Sequence, residues 1–444
     1  MSSIESEYIR KHPKSAEIFE KSAVMFPDGV THDTRFLTPF PICVSNALGP
    51  LKWDHDGLEY VDYVSGHGAL LLGHSHPAIV NAVTDQIKKG THLGANTELE
   101  VRWGNAVKNL IPSIEKIRFN SSGTEATMMA MRLARAYTGK NKIVKFQDHF
   151  HGWHDYALAG SDGGTGGIPE STWDSMIVLP AGDMDALEDT LRKDKDIAAI
   201  ITEPTGAHMG QNPLQVPEYL EKVREITKLY EVVFILDEVV TGFRLSRGGA
   251  QERFNIKPDL TTMAKILAGG LPGGAVGGKA EIVDMIQHRG EPEWDNRNRV
   301  SHNGTFNANP LCAIAGSICL ELIAKEPINE MADLMANKLR DGLNETLIKM
   351  EVPGVAYGVS SLVLLSFGVE SDPQEVWKIP HHALSSAAKP GTRQALKLAM
   401  INEGVDTMAG RGFIVSAVHT EDEIDRTIEA FEKTLVNMRQ DGIV

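Results

Sequence analysis

Two side chains in this sequence have the type and surroundings for covalent amine chemistry. Asp237 opens DEVVTGFR (237–244) directly after an apolar run, and Lys265 stands just ahead of the glycines in AKILAGGLPGGAVGG (264–278). A lysine amine can condense with an aldehyde to form a Schiff base. A carboxylate beneath a pyridine ring can keep the ring nitrogen protonated, so that the ring accepts electrons. Facing each other across a pocket, the two groups would suit pyridoxal phosphate (PLP). Neither carries that reading alone: a lysine is ordinarily a solvated surface charge, and an aspartate after a hydrophobic strand is often a turn or helix cap.

The surrounding elements must supply the rest of such a site. KIRFNSSGTEATMMAMRLARAY (116–137) reads as a short strand, a turn of small and hydroxylated residues, and a strong helix. Ser122, Gly123 and Thr124 then lie at the positive end of a helix dipole, where free backbone N–H groups suit a phosphate; plain N-capping by Ser122 or Thr124 accounts for the same residues. The strand 142–146 runs into QDHFHGWHD (147–155), where Phe150, His151, Trp153 and His154 crowd together. An aromatic at a strand end can stack on a flat ring, although in isolation it is more often core.

Strands at 176–179, 197–203 and 232–236 alternate with helices at 183–192 and 217–230. That is the rhythm of a mostly parallel sheet flanked by helices, in which ligands sit outside the carboxyl ends of the strands. Asn120 to Thr124, Phe150, Glu203, Asp237 and Lys265 all fall at or just after a predicted strand end, on one rim. The expected fold class is therefore α/β.

A chain of 444 residues is too long for one ordinary core. The expected division is an N-terminal helix and β-meander over 1–62 that packs with the small domain, a large cofactor-binding domain over 63–325, and a small C-terminal α/β domain over 326–444. One helix is predicted over about residues 1–28, another from Pro77 with Ile79, Val80, Val83 and Ile87 on one face, and one long helical tract over 309–350. The net charge of −15 argues against a nucleic-acid surface. Cys43, Cys312 and Cys319 are few and lack metal spacing, and His74 and His76 have no third ligand beside them, so no metal is expected. No signal peptide or membrane-length apolar run is present, and a cytoplasmic location is expected.

SSGTEA (121–126), FHGWHD (150–155), TEP (202–204), DEVVTGFR (237–244), AKILAGGLPGGAVGG (264–278) and GTFNANP (304–310) resemble, in order and spacing, a class III aminotransferase of PLP fold type I. The likeness runs from about residue 20 to 435. It is greatest to the branch holding glutamate-1-semialdehyde aminomutase and the β-amino-acid aminotransferases. It implies that Lys265 holds PLP and shuttles the proton, and that Asp237 pairs with the ring nitrogen. It implies that Ser122, Gly123 and Thr124 bind the phosphate, that Phe150 (tyrosine in many relatives) stacks on the ring, and that Val239 presses on its other face. Glu203 would stand close to the cofactor. Thr305 would reach the phosphate of a neighbouring subunit, in a homodimer with shared sites.

For the substrate, Arg35 in GVTHDTRFL (29–37) falls where the aminomutases grip a carboxylate, and His67 falls where they have an aromatic pocket residue. The short MAGRGF (408–413) resembles the β-amino-acid aminotransferases, in which an arginine meets a second carboxylate; Arg411 holds that place, a solvated loop charge being the competing view. The resemblance therefore implies an aminotransferase moving an amino group from an amino acid, β-amino acids included, to an oxo acid such as 2-oxoglutarate or pyruvate. The alternative is glutamate-1-semialdehyde 2,1-aminomutase, and further off a non-catalytic PLP-fold binding protein.

Overall fold

A proline decides how the chain begins. The structure, a computed structural model, describes residues 2–161 and 163–444; Met1 and Asp162 lie outside it. In place of one N-terminal helix there are two, Ser3–Lys11 and Pro13–Met25. Pro13 has no N–H with which to continue the first helix, and its fixed φ suits the first position of the second. The same effect splits the tract predicted over 309–350 into Pro310–Lys325 and Ile328–Lys349, broken at Pro327.

The chain divides into two compact units, one of Met1–Pro77 with Pro327–Val444, the other of Ala78–Glu326. In the first unit, β1 (Val44–Leu48), β2 (Leu51–Asp54) and β3 (Glu59–Asp62) form the expected antiparallel meander.

The second unit is built on a seven-stranded sheet. Its strands are β4 (Lys116–Asn120), β5 (Lys142–Phe146), β6 (Met176–Leu179), β7 (Ile197–Thr202), β9 (Val233–Asp237), β10 (Leu260–Ala264) and β11 (Gly274–Gly278), while the two-residue β8 (Asn212–Pro213) stays outside it. The order is β4-β11-β10-β9-β7-β5-β6. Only β11 opposes its neighbours. The central strands β7 and β9 are buried along their whole length, which is why they read as apolar runs. Ile143, Ile201 and Ile235 pack with residues of the helix Gly123–Thr138, while Val144, Ile200, Phe234 and Leu236 face the helix Glu218–Leu229. Strand β11 is glycine-rich because backbone crosses close beside it: a Cβ on Gly274 would stand 2.2 Å from the Ser122 carbonyl oxygen.

The helix Pro77–Ile87 forms as predicted but buries none of its residues, and Val80 and Ile87 remain 45% and 52% exposed. Ile79 and Val83 are only partly buried, so amphipathic spacing here marks a helix without marking a core. No helix among the described residues is long and apolar enough to cross a membrane.

Returning to the first unit, β12 (Gly354–Val359), β13 (Leu362–Phe367) and β15 (Gly412–Ile414) make an antiparallel sheet, and the intervening β14 (Val405–Asp406) lies parallel to β3. Where β14 meets β3, buried Lys52 donates to Asp62 Oδ1 at 2.8 Å and to Asp406, Lys397 also donates to Asp406, and His74 Nε2 lies 2.6 Å from Asp62 Oδ2. Burial acts to raise the Asp62 and Asp406 carboxyls, but the lysines outweigh it and hold both below the usual carboxylate range. His74 is thus part of an ion-pair network. No group of three or more His, Cys, Asp or Glu suited to a metal occurs among the described residues.

Candidate active site

Asp237 is the last residue of β9, beside Thr262 of β10 in register. Thr262 Oγ1 donates to its Oδ1 at 2.9 Å and the Val239 N–H to the same oxygen at 3.1 Å; His151 Nδ1 lies 2.7 Å from its Oδ2. Burial lowers the His151 pKa against the pull of Asp237, and since an ionised carboxylate can only accept, the ring's Nδ1–H donates to it. Its Nε2 is buried without a hydrogen-bond partner among the described residues. The sequence placed His151 only in an aromatic crowd; its role in orienting Asp237 depends on how the chain turns through Gly152, where a Cβ would stand 2.4 Å from Thr124 Oγ1.

Lys265 follows β10 directly, with φ 55, a left-handed backbone that is rare for a residue with a side chain and typical of functional sites. Burial lowers its amine below the usual 10.5, opposed by Asp237 and Glu203 and assisted by Arg244. A larger fraction of the amine is then neutral and nucleophilic.

Ser122 is an N-cap: its hydroxyl accepts from the Glu125 N–H at 3.3 Å and donates to Glu125 Oε2 at 3.2 Å. Thr124 Oγ1 accepts from the Trp153 N–H at 3.1 Å. Both hydroxyls are thus engaged within the protein. The N–H groups of Gly123 and Thr124, in the first turn, have no acceptor among the described residues, which is the arrangement that receives an anion. Close by in sequence, Asn120 is 1% exposed and neither its amide oxygen nor its nitrogen has a hydrogen-bond partner among the described residues. Gly123 is pressed by Val239, whose Cγ1 would lie 2.9 Å from an added Cβ.

Phe150 stands 52% exposed beyond β5, with its N–H donating to Glu203 Oε1 at 2.8 Å. Burial raises the Glu203 carboxyl to about 7, against its backbone hydrogen bonds. Between the ordinary 4.5 and about 7 the folded chain holds a proton here that the unfolded chain has released, so this group makes stability fall as pH rises across that window. The slope of melting temperature against pH between 4.5 and 7 is expected to flatten in Glu203→Gln; an unchanged slope would contradict this.

Asp237, Lys265, Gly123, Thr124, Val239, Phe150 and Glu203 all belong to the second unit, as does Thr305, which lies in an exposed loop where its carbonyl accepts from His92 Nε2 at 2.5 Å. Arg35, His67 and Arg411 belong to the first. Arg35 is exposed and donates to Thr31 Oγ1 at 3.2 Å. The His67 ring stacks on His32 at 4.9 Å, and His32 caps the turn that carries Arg35, so these two predicted residues share one local cluster. Arg411 lies in the turn between β14 and β15. Burial, then the charge of Arg393, lower its guanidinium to about 10, and it has no hydrogen bond or ion pair through its side chain among the described residues.

Residues 34–358 match the family model of the class III aminotransferases. The chain belongs to that family. This aminotransferase is 37% identical over 443 residues to a glutamate-1-semialdehyde 2,1-aminomutase of Methanopyrus kandleri, with 96% of this chain and 98% of the relative covered. Among solved structures it is similar to an omega-transaminase from Sphaerobacter thermophilus, at 31% identity and TM-score 0.86, over 96% of this chain and 98% of that one. It is also similar to a β-phenylalanine aminotransferase from Variovorax paradoxus, at 28% identity and TM-score 0.86, over 98% and 97%. Its cofactor is pyridoxal phosphate. The residues present fit that group: open N–H donors at a helix start, an oriented carboxylate, a desolvated amine and a half-exposed aromatic ring.

Proposed function

We propose that this class III aminotransferase acts as a glutamate-1-semialdehyde 2,1-aminomutase, moving an amino group between two carbons of one substrate. What carries this choice is the near full-length similarity, at 37% identity, to an enzyme of that name. The sequence put a separate oxo-acid acceptor first, and the name of this relative weighs for the intramolecular reaction instead.

Bound PLP supplies an electron sink for the carbanion formed beside the amino group. The chain's own residues do the rest. The N–H groups of Gly123 and Thr124 hold the phosphate, and Asp237, fixed by His151, Thr262 and Val239, takes the ring N–H. Phe150 and Val239 hold the ring between them. The Lys265 amine, desolvated and therefore easily deprotonated, removes the proton at one carbon and returns it at the other. The test is incubation of the semialdehyde alone with the protein. Formation of 5-aminolevulinate without any acceptor is expected; its absence, with rapid oxo-acid-dependent turnover, would refute the aminomutase.

One observation favours a second reading, transfer to a separate oxo acid: the half-buried Arg411 guanidinium has no carboxylate partner among the described residues. A guanidinium pairs bidentately with carboxylates, and truncating one partner of a buried pair costs about 2 to 5 kcal/mol, or at least tenfold in specificity constant. On that reading Arg411→Ala weakens 2-oxoglutarate, with its distal carboxylate, at least about tenfold more than pyruvate, while Arg35→Ala weakens every carboxylate-bearing substrate. Equal losses for the two acceptors in steady-state kinetics would return Arg411 to a loop charge.

A homodimer in which Thr305 serves a neighbouring site, and a cytoplasmic setting in keeping with three unpaired cysteines, complete the proposal.

A further inference from the structure

Glu203 stands one residue past β7 and is buried. Its Oε1 accepts the N–H groups of Phe150 at 2.8 Å and His208 at 3.0 Å, and its Oε2 accepts that of Met209 at 3.1 Å. Three of a carboxylate's roughly four acceptor positions are thereby taken by backbone, which leaves little for a bound molecule. The Glu203 N–H itself donates to His149 Nδ1 at 3.0 Å, fixing the residue from the other side.

Two of the three donors have unusual backbones. His208 (φ 50, ψ 59) and Met209 (φ 66, ψ 22) are both left-handed, a conformation unfavourable for residues with a Cβ. Their successive N–H groups converge on one point, as in the backbone nests that bind anions, and the Glu203 carboxylate occupies that point. The turn is shut at its base, where Gly206 and Ala207 bridge Pro213 and Asn212 and a Cβ on Gly206 would stand 2.1 Å from the Asn212 carbonyl oxygen. At its tip the exposed His208 imidazole lies nearly parallel to the Phe150 ring, centroids 6.0 Å apart at 23°. One carboxylate therefore fixes the ring that stacks on the cofactor, the strained tip, and the imidazole beside that ring.

We propose that Glu203 is a positioning residue and no cofactor contact, and that it sets the His208 imidazole beside Phe150 as a specificity group for a carboxylate or carbonyl oxygen of the substrate. This deepens the PLP reading of the site and rests on it. An imidazole has two ring nitrogens, and one of them can serve such an oxygen while the nest fixes the backbone that carries the ring. A glutamine at position 203 keeps the shape but turns an amide N–H2 toward a backbone N–H, which opens the nest without emptying the space.

The test compares wild type, Glu203→Gln, His208→Ala and the double variant, each titrated with PLP and assayed with its amino substrate. Expected are a PLP dissociation constant and visible band within about threefold of wild type, and KM raised about tenfold with kcat changed less, similarly in both single variants. The double variant should show no further loss, since the two residues act as a unit. The exposed His208→Ala variant reads the specificity role even if Glu203→Gln proves unstable. Unchanged KM in His208→Ala, or a tenfold loss of PLP affinity in Glu203→Gln at unchanged KM, would overturn the inference alone. Failure of the wild type to bind PLP would overturn the site reading and this inference with it.

Discussion

Lys265→Ala is expected to lower turnover at least about 10⁴-fold, the upper range of what a positioned acid or base contributes, while the melting temperature moves by no more than about 4 °C. The amine is desolvated, with its pKa lowered mainly by burial, and it opens a turn whose left-handed backbone aims it from the end of β10. An alanine at the same φ keeps the backbone demand but removes the proton carrier and the covalent link. PLP should still bind, because Gly123, Thr124, Phe150 and Asp237 are untouched, and borohydride should fix it to the wild type but not to the variant. Retention of more than about a hundredth of the wild-type rate would show that another group carries the proton.

The second large effect concerns stability. Asp406→Ala should cost about 3 to 5 kcal/mol, because it leaves Lys52 and Lys397 buried without the carboxylate they share. Among the described residues, Asp62 remains as the acid paired with Lys52. Denaturant unfolding measures the loss, and a change below about 1 kcal/mol would mean that water reaches these amines. Both carboxyls have folded pKa values below the ordinary 3.8, so their contribution is present above that value and is lost as pH falls through it toward the folded pKa. The stability gap between Asp406→Ala and wild type should therefore narrow in acid.

The rim of the large sheet was legible for a physical reason. A strand buried on both faces appears as an apolar run, so the first charged residue marks its end, as Asp237 does for β9; Lys265 follows β10 directly, although two threonines interrupt that run. What was not legible depended on approach in space. β11 is a strand because its glycines leave room for Ser122 and Asp259, and no side-chain pattern announces that. His151 shares its stretch with His149 and His154, and only the folded turn assigns it to Asp237. Glu203 was legible as a residue close to the cofactor, but nothing in one dimension reveals that three N–H groups occupy its oxygens. Pro13 and Pro327 were visible breaks that apolar periodicity alone passed over. Arg35 and Arg411 were legible as charges, while the burial of Arg411 beside Arg393 and Tyr357 required the structure.

The pairing of β3 with β14 bears on how the molecule is born. Lys52 and the Asp406 it binds are 354 positions apart, so at a synthesis rate of 5–20 residues per second the amine waits roughly 20 to 70 seconds for its acid to leave the ribosome. Through that interval the meander of the first 62 residues carries an unpaired strand edge, which is a template for foreign strands. A nascent chain halted before residue 405 would never close that edge, so the first part of this protein to emerge is among the last to be finished.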